Sequence, residues 1–99
     1  MLPVLSLDAV TVLGRGAIKD LEGSFSKHSL AVIVTGSPSA VTVELEASND
    51  GVRFFNIGEV TGGSGVVTVD EHLWRYVTAN VDTLTGGTSP TVTAWVASS

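Results

Sequence analysis

Along most of the chain apolar and polar side chains alternate with a period of two, the pattern of strands buried on one face. Val41, Val43 and Leu45 alternate with Thr42, Glu44 and Glu46. Further on, Val77, Ala79 and Val81 share one parity while Trp74, Tyr76, Thr78, Asn80 and Asp82 share the other. Near the end Val92, Ala94 and Val96 oppose Thr91, Thr93, Trp95 and Ala97. His28 to Thr35 is apolar on both parities, which predicts a central strand covered on both faces. No stretch sustains a 3.6-residue period. The nearest, Ala17 to Glu22, gives one or two helical turns at most and is closed by Gly23.

Glycine and proline fall between the apolar runs, where turns belong. The expected order is one or two strands over Leu5 to Leu13, a turn at Gly14-Arg15-Gly16, and a short edge strand over Ser24 to His28. The central strand follows, then a turn at Gly36 to Ser39 and the alternating strand from Val41. Ser48-Asn49-Asp50-Gly51 predicts a hairpin, because Asp-Gly tolerates the positive φ that tight turns need. Arg53 to Val60 returns, Thr61 to Gly65 turns, and Val66 to Val69 is a strand. Asp70-Glu71-His72 reads as a polar connection before a long strand, Leu73 to Leu84; the loop Thr85 to Pro90 leads to a last strand, Thr91 to Ser98. Seven to nine short strands with frequent turns predict an all-β fold. The architecture expected is a two-sheet antiparallel sandwich, jelly-roll or immunoglobulin-like, in one domain spanning 1–99. Residues 1–13 are either a first strand or an N-terminal arm.

Composition narrows the function. Sixteen valines and eleven threonines in 99 residues reinforce the β reading. There is no cysteine, so disulfides, thiol catalysis and multi-cysteine zinc sites are excluded. A net charge of −5 lacks the basic footprint that nucleic acid or an anionic membrane requires, so neither is expected as a partner. The N-terminal apolar run is interrupted by Asp8 and has no basic leader, so neither a signal peptide nor a membrane span is expected there.

Chemistry is sparse. Adjacent strand residues point to opposite sides, so Asp70-Glu71-His72 does not read as a metal site. Thr61-Gly62-Gly63-Ser64-Gly65 has the glycines of a phosphate cradle without the following Lys-Ser/Thr. Glu44 and Glu46, same-face neighbours at glycosidase-like spacing, read as a solvated strand face. No catalytic residue, metal ligand or cofactor is expected, and the chain is not expected to be an enzyme. What remains is surface. If the small aliphatic residues fill the core, Trp74, Tyr76 and Trp95 fall on outer faces, either capping the sandwich ends or forming a contact patch. Leu2, Val4 and Leu5 join them as candidate interface residues.

Two stretches carry a resemblance. Thr35 to Gly51 (TGSPSAVTVELEASNDG) and Arg75 to Thr93 (RYVTANVDTLTGGTSPTVT) are similar to segments of small virion proteins of tailed bacteriophages, the head decoration, cement and minor capsid proteins. The likeness covers roughly residues 28–98. Ala47 to Phe55 together with Arg75-Tyr76-Val77 also resembles discoidin-type jelly-rolls. The first resemblance implies a structural protein on the capsid surface, made in the host cytoplasm. Its partners would be the major capsid protein and copies of itself, a trimer being favoured. A tail or head–tail component and a carbohydrate-binding module stacking sugars on Trp74, Tyr76 or Trp95 are the alternatives.

Overall fold

In the computed structural model, which describes residues 3–99 except the side chain of Glu71, the chain is all-β. Seven strands follow one another: β1 (Val4–Val10), β2 (Gly14–Arg15), β3 (Lys19–Thr35), β4 (Ala40–Ser48), β5 (Phe55–Thr61), β6 (Gly65–Thr85) and β7 (Thr91–Ser98). All pairings are antiparallel, in the order β1-β7-β3-β6-β4-β5, with β2 also beside β6.

Two strands are unusually long. At roughly 3.3 Å per residue a straight β6 would reach about 70 Å, yet the molecule is 40 Å along its longest axis. Both β3 and β6 therefore bend, and each serves two layers. The first layer holds β1, β7, the C-terminal half of β3 and the N-terminal half of β6. The second holds β5, β4, the C-terminal half of β6, β2 and the start of β3. The bend is made by bulges, which admit extra residues into one strand and increase its twist. Asp20 pairs with Tyr76 and Phe25 with Trp74, so β3 carries surplus residues; Phe25 to Lys27 then faces Trp74 to Asp70, so β6 carries surplus.

These bends correct three expectations. Ala17 to Glu22 forms no helical turn: Lys19 onward is strand, and Glu22 takes a positive φ of 58° inside the first bulge. Ser24 to His28 is no separate edge strand but part of β3. The Asp70-Glu71-His72 connection lies within β6, in the second bulge. At the amino end β1 stops at Val10, and Gly14-Arg15, read as a turn, forms the short β2. Val4–Val10 is thus an edge strand paired with β7, not a free arm.

The core follows the predicted parity. Val41, Val43, Leu45, Val77, Ala79, Val81, Val92, Ala94 and Val96 are buried in one cluster with Leu7, Leu30 and Val32. One polar seam ties the layers. Ser6 is the extra residue of a bulge between Leu5 and Leu7. Its Oγ donates to the Ala17 carbonyl at 2.9 Å and accepts from the Ala79 N–H at 3.0 Å, while its own carbonyl accepts from the Ala17 N–H at 2.8 Å. Thr78 Oγ1, fully buried, completes the seam 3.2 Å from Ser6 Oγ. Every polar atom there has a partner, which is the condition for burying it without cost. Gly16 is required: a Cβ on it would sit 2.0 Å from the Ser6 carbonyl oxygen.

Candidate interaction surface

The outer face of the first layer is built by strand register. Leu5 on β1 is opposite Trp95 on β7, Trp95 is opposite Ala31 on β3, and Ala31 is opposite Val66 on β6. Four apolar side chains thus form one row across four strands. Ile33, two residues beyond Ala31 and on the same face, widens it. Leu5 is 42% exposed, Ile33 50% and Val66 71%, with Trp95 half-buried among them. The central strand is therefore not covered on both faces as its sequence predicts: its inner parity is core, and its outer parity lies open.

The sequence-derived candidates separate on this geometry. Trp95 and Leu5 lie in the row. Val4 is half-buried and packs against the core, and Leu2 lies outside the described residues. Trp74 is only 8% exposed, so it leaves the outward set. Its ring lies 5.7 Å from that of Phe55 and meets the edge of His72 at 5.2 Å. Tyr76 is half-buried because the β4–β5 turn folds over it. Gly51, at φ 77°, brings its backbone so close that a Cβ would meet the Tyr76 ring at 3.2 Å. Of the three aromatic candidates, Trp95 is the one in an open apolar face. Val66, Ala31 and Ile33 did not stand out in the sequence; their signal was an apolar outer parity in His28 to Thr35 and Val66 following directly on the Gly65 turn.

The outer face of the second layer is chemically opposite. Glu44 is paired with Glu59 on β5 and with Asn80 on β6. Asn56 Nδ2 donates to both Glu44 and Glu59, at 3.1 and 3.2 Å, and Asn80 Nδ2 donates to Glu44 at 3.0 Å. Burial nonetheless raises the Glu44 carboxyl above its ordinary range, and repulsion from Asp82 and Glu46 adds to the shift. Glu46 is buried, against the solvated face its alternation predicts, because Arg15 covers it: Nε donates at 2.7 Å while the guanidinium stacks 4.4 Å over Phe54.

Two histidines border a cleft of about 380 Å³ with Trp74, Asn56 and Ser26, where the sheet bends. His72 is exposed and His28 is buried. Among the described residues no three metal-ligating side chains converge.

No known protein family matches the chain, and no curated protein sequence matches it. Among solved structures it is similar to the SPBc2 prophage-derived protein YomS, with a TM-score of 0.57 at 12% identity, over 99% of this chain and 92% of that one. At that identity the likeness is one of fold, spanning both chains almost end to end.

Proposed function

We propose that the chain is a bacteriophage structural protein that decorates and stabilises a capsid, binding the shell as a homo-oligomer whose copies meet through the open face of the first layer. It acts by attachment and carries out no reaction of its own. The observation that carries this reading is the uninterrupted row Leu5–Trp95–Ala31–Val66, flanked by Ile33. Contiguous apolar area on a small domain marks a contact surface, and a tryptophan at its centre is the residue type that anchors one. Charge favours the same face. Copies with a net charge of −5 repel one another, and repulsion is smallest where the contacting side chains are apolar. The fold shared with a prophage-derived protein and the wording of residues 35–51 and 75–93 favour a virion as the larger assembly. There, many weak equivalent contacts add up to a firm hold on the shell.

The reading is tested in two steps. Sedimentation equilibrium of the purified chain is expected to give a closed oligomer, a trimer being favoured, that Val66→Lys dissociates. Cryo-EM of virions from the producing cell is then expected to place the chain on the shell against the major capsid protein. A persistent monomer absent from the particle overturns the proposal; density on the tail moves the protein to a tail role; glycan binding lost in Trp95→Ala turns it into a carbohydrate module.

A further inference from the structure

His28 is the least comfortable residue in the fold. Its side chain is 1% exposed, in the first layer beside the end of β7. Nδ1 lies 2.7 Å from Ser98 Oγ. Nε2 has no hydrogen-bond partner, the one buried side-chain polar atom in that state among the described residues. This residue closes a strand end. Immediately beyond it the ladder finishes with Ser99 N–H donating to the Lys27 carbonyl at 2.9 Å and Lys27 N–H donating to the Ser99 carbonyl at 3.2 Å.

We propose that His28 is a proton-operated latch on the C-terminal end of β7: neutral, it holds Ser98 against β3, and on taking up a proton it releases that end of the strand. The inference stands apart from the assembly reading and does not depend on it.

The surroundings explain why a proton would do this. Imidazolium has two N–H donors and a full charge, and a buried charge needs a counter-charge or water. From the end of β7 come the Ser98 hydroxyl and, lining the second cleft beyond it, Ser99, whose main-chain oxygen is engaged by the Lys27 N–H. The neighbour of His28 on β3 is the cation Lys27, whose register partner on β6 is Asp70. Also from β6 come Val69 and His72, itself a base, and from β5 come Ile57 and Asn56. The Asn56 amide is already engaged with Glu44 and Glu59. The acid next along β6 is Glu71. Burial lowers the His28 pKa below the ordinary 6.5, while the carbonyls of Phe25 and His72 pull the other way. His28 lines two clefts, the one of about 380 Å³ and a second of about 240 Å³ that it shares with Lys27, Thr68, Ala97, Ser98 and Ser99. Lifting the strand end exposes the His28 side of both clefts to water.

The sign of the effect follows. A released His28 titrates in the ordinary range, so the latched form is fully favoured above about pH 6.5 and loses ground as pH falls from there through the lowered value. One proton taken up on opening shifts the open-to-closed ratio towards open as pH falls through that window, by at most about tenfold per pH unit.

The test is amide hydrogen exchange by NMR between pH 7.5 and 5, corrected for intrinsic rates, alongside titration of the His28 ring in the unaltered protein. The expected result is a ring midpoint below 6.5, with protection at Val96 to Ser99 and Lys27 to Ser29 falling below pH 6.5 by up to about tenfold per pH unit while Val43, Leu45 and Ala79 hold theirs. In His28→Asn, which keeps a polar group at the Nδ1 position, the local pH dependence disappears; in His72→Asn it stays. A ring midpoint at or above 6.5 overturns the latch on the native protein alone. So does loss of protection spread evenly over the sheet, or a local loss that survives His28→Asn.

Discussion

The two outer faces of this sandwich are made in part by the same two strands, yet they oppose one another chemically. The first layer turns Leu5, Trp95, Ala31, Val66 and Ile33 outward; the second turns Glu44, Glu59 and Asp82 outward and covers Glu46 with Arg15. β6 contributes Val66 to one and Asn80 and Asp82 to the other. What differs is which half of a bent strand each side chain occupies. A bend of this kind lets one small domain offer an apolar side and an acidic side without a second core.

Breaking the seam between the faces has the largest expected effect. Gly16→Val forces a side chain into the Ser6 carbonyl. It should cost more than about 4 kcal/mol, the range of overpacked and network-breaking substitutions, read as loss of the cooperative urea transition. Next comes the contrast between the faces themselves. Val66→Lys is expected to weaken self-association by tenfold or more while leaving monomer stability within about 0.5 kcal/mol. Glu59→Lys, the corresponding change on the acidic face, should alter association less than about threefold; sedimentation equilibrium of the two variants side by side decides. Smaller still is Arg15→Ala, which strips the cover from the Glu46 carboxylate. With Arg15 partly exposed, about 1 kcal/mol is expected, and Glu46→Gln in the same chain should recover much of it.

The smallest effect is in acid. Asp50 accepts from the Val52 and Arg53 N–H groups, both at 2.9 Å, which with the Ser48 hydroxyl hold its carboxyl down to about 2. Its contribution is therefore complete above the ordinary carboxylate range and fades as pH falls from 3.8 towards 2. Glu44, raised by burial, runs the other way: its charge is a cost that protonation relieves. Carboxyl NMR titrations should place the Glu44 midpoint above 4.5 and that of Asp50 near 2, and Asp50→Asn should remove the low-pH loosening of the β4–β5 turn.

How much of this was legible in the residues depends on range. Period-two alternation located the core half of β4, β6 and β7 residue by residue, because inward parity is a local property. The Asp-Gly turn was equally plain, although its role in roofing Tyr76 was not. Local pattern loses its meaning where strands bend. Polar residues at 70–72 and the run 17–22 look like interruptions, and only pairing with a distant strand turns them into bulges. The same limit hides the apolar row. Leu5, Ala31, Val66 and Trp95 lie far apart in the chain and become neighbours solely through register. Trp74 misled for a related reason: its parity points outward, but at the bend outward is towards Phe55.

The seven strands do not divide into two leaves that could slide or peel apart. Because β3 and β6 run unbroken from one layer into the other, a pull on the side bearing Trp95 is passed along covalent backbone into the side bearing Glu44. A copy pulled from both sides would thus carry load in line with its longest strands, and parting its layers would require undoing whole ladders at once rather than opening a hydrogen-bonded edge rung by rung.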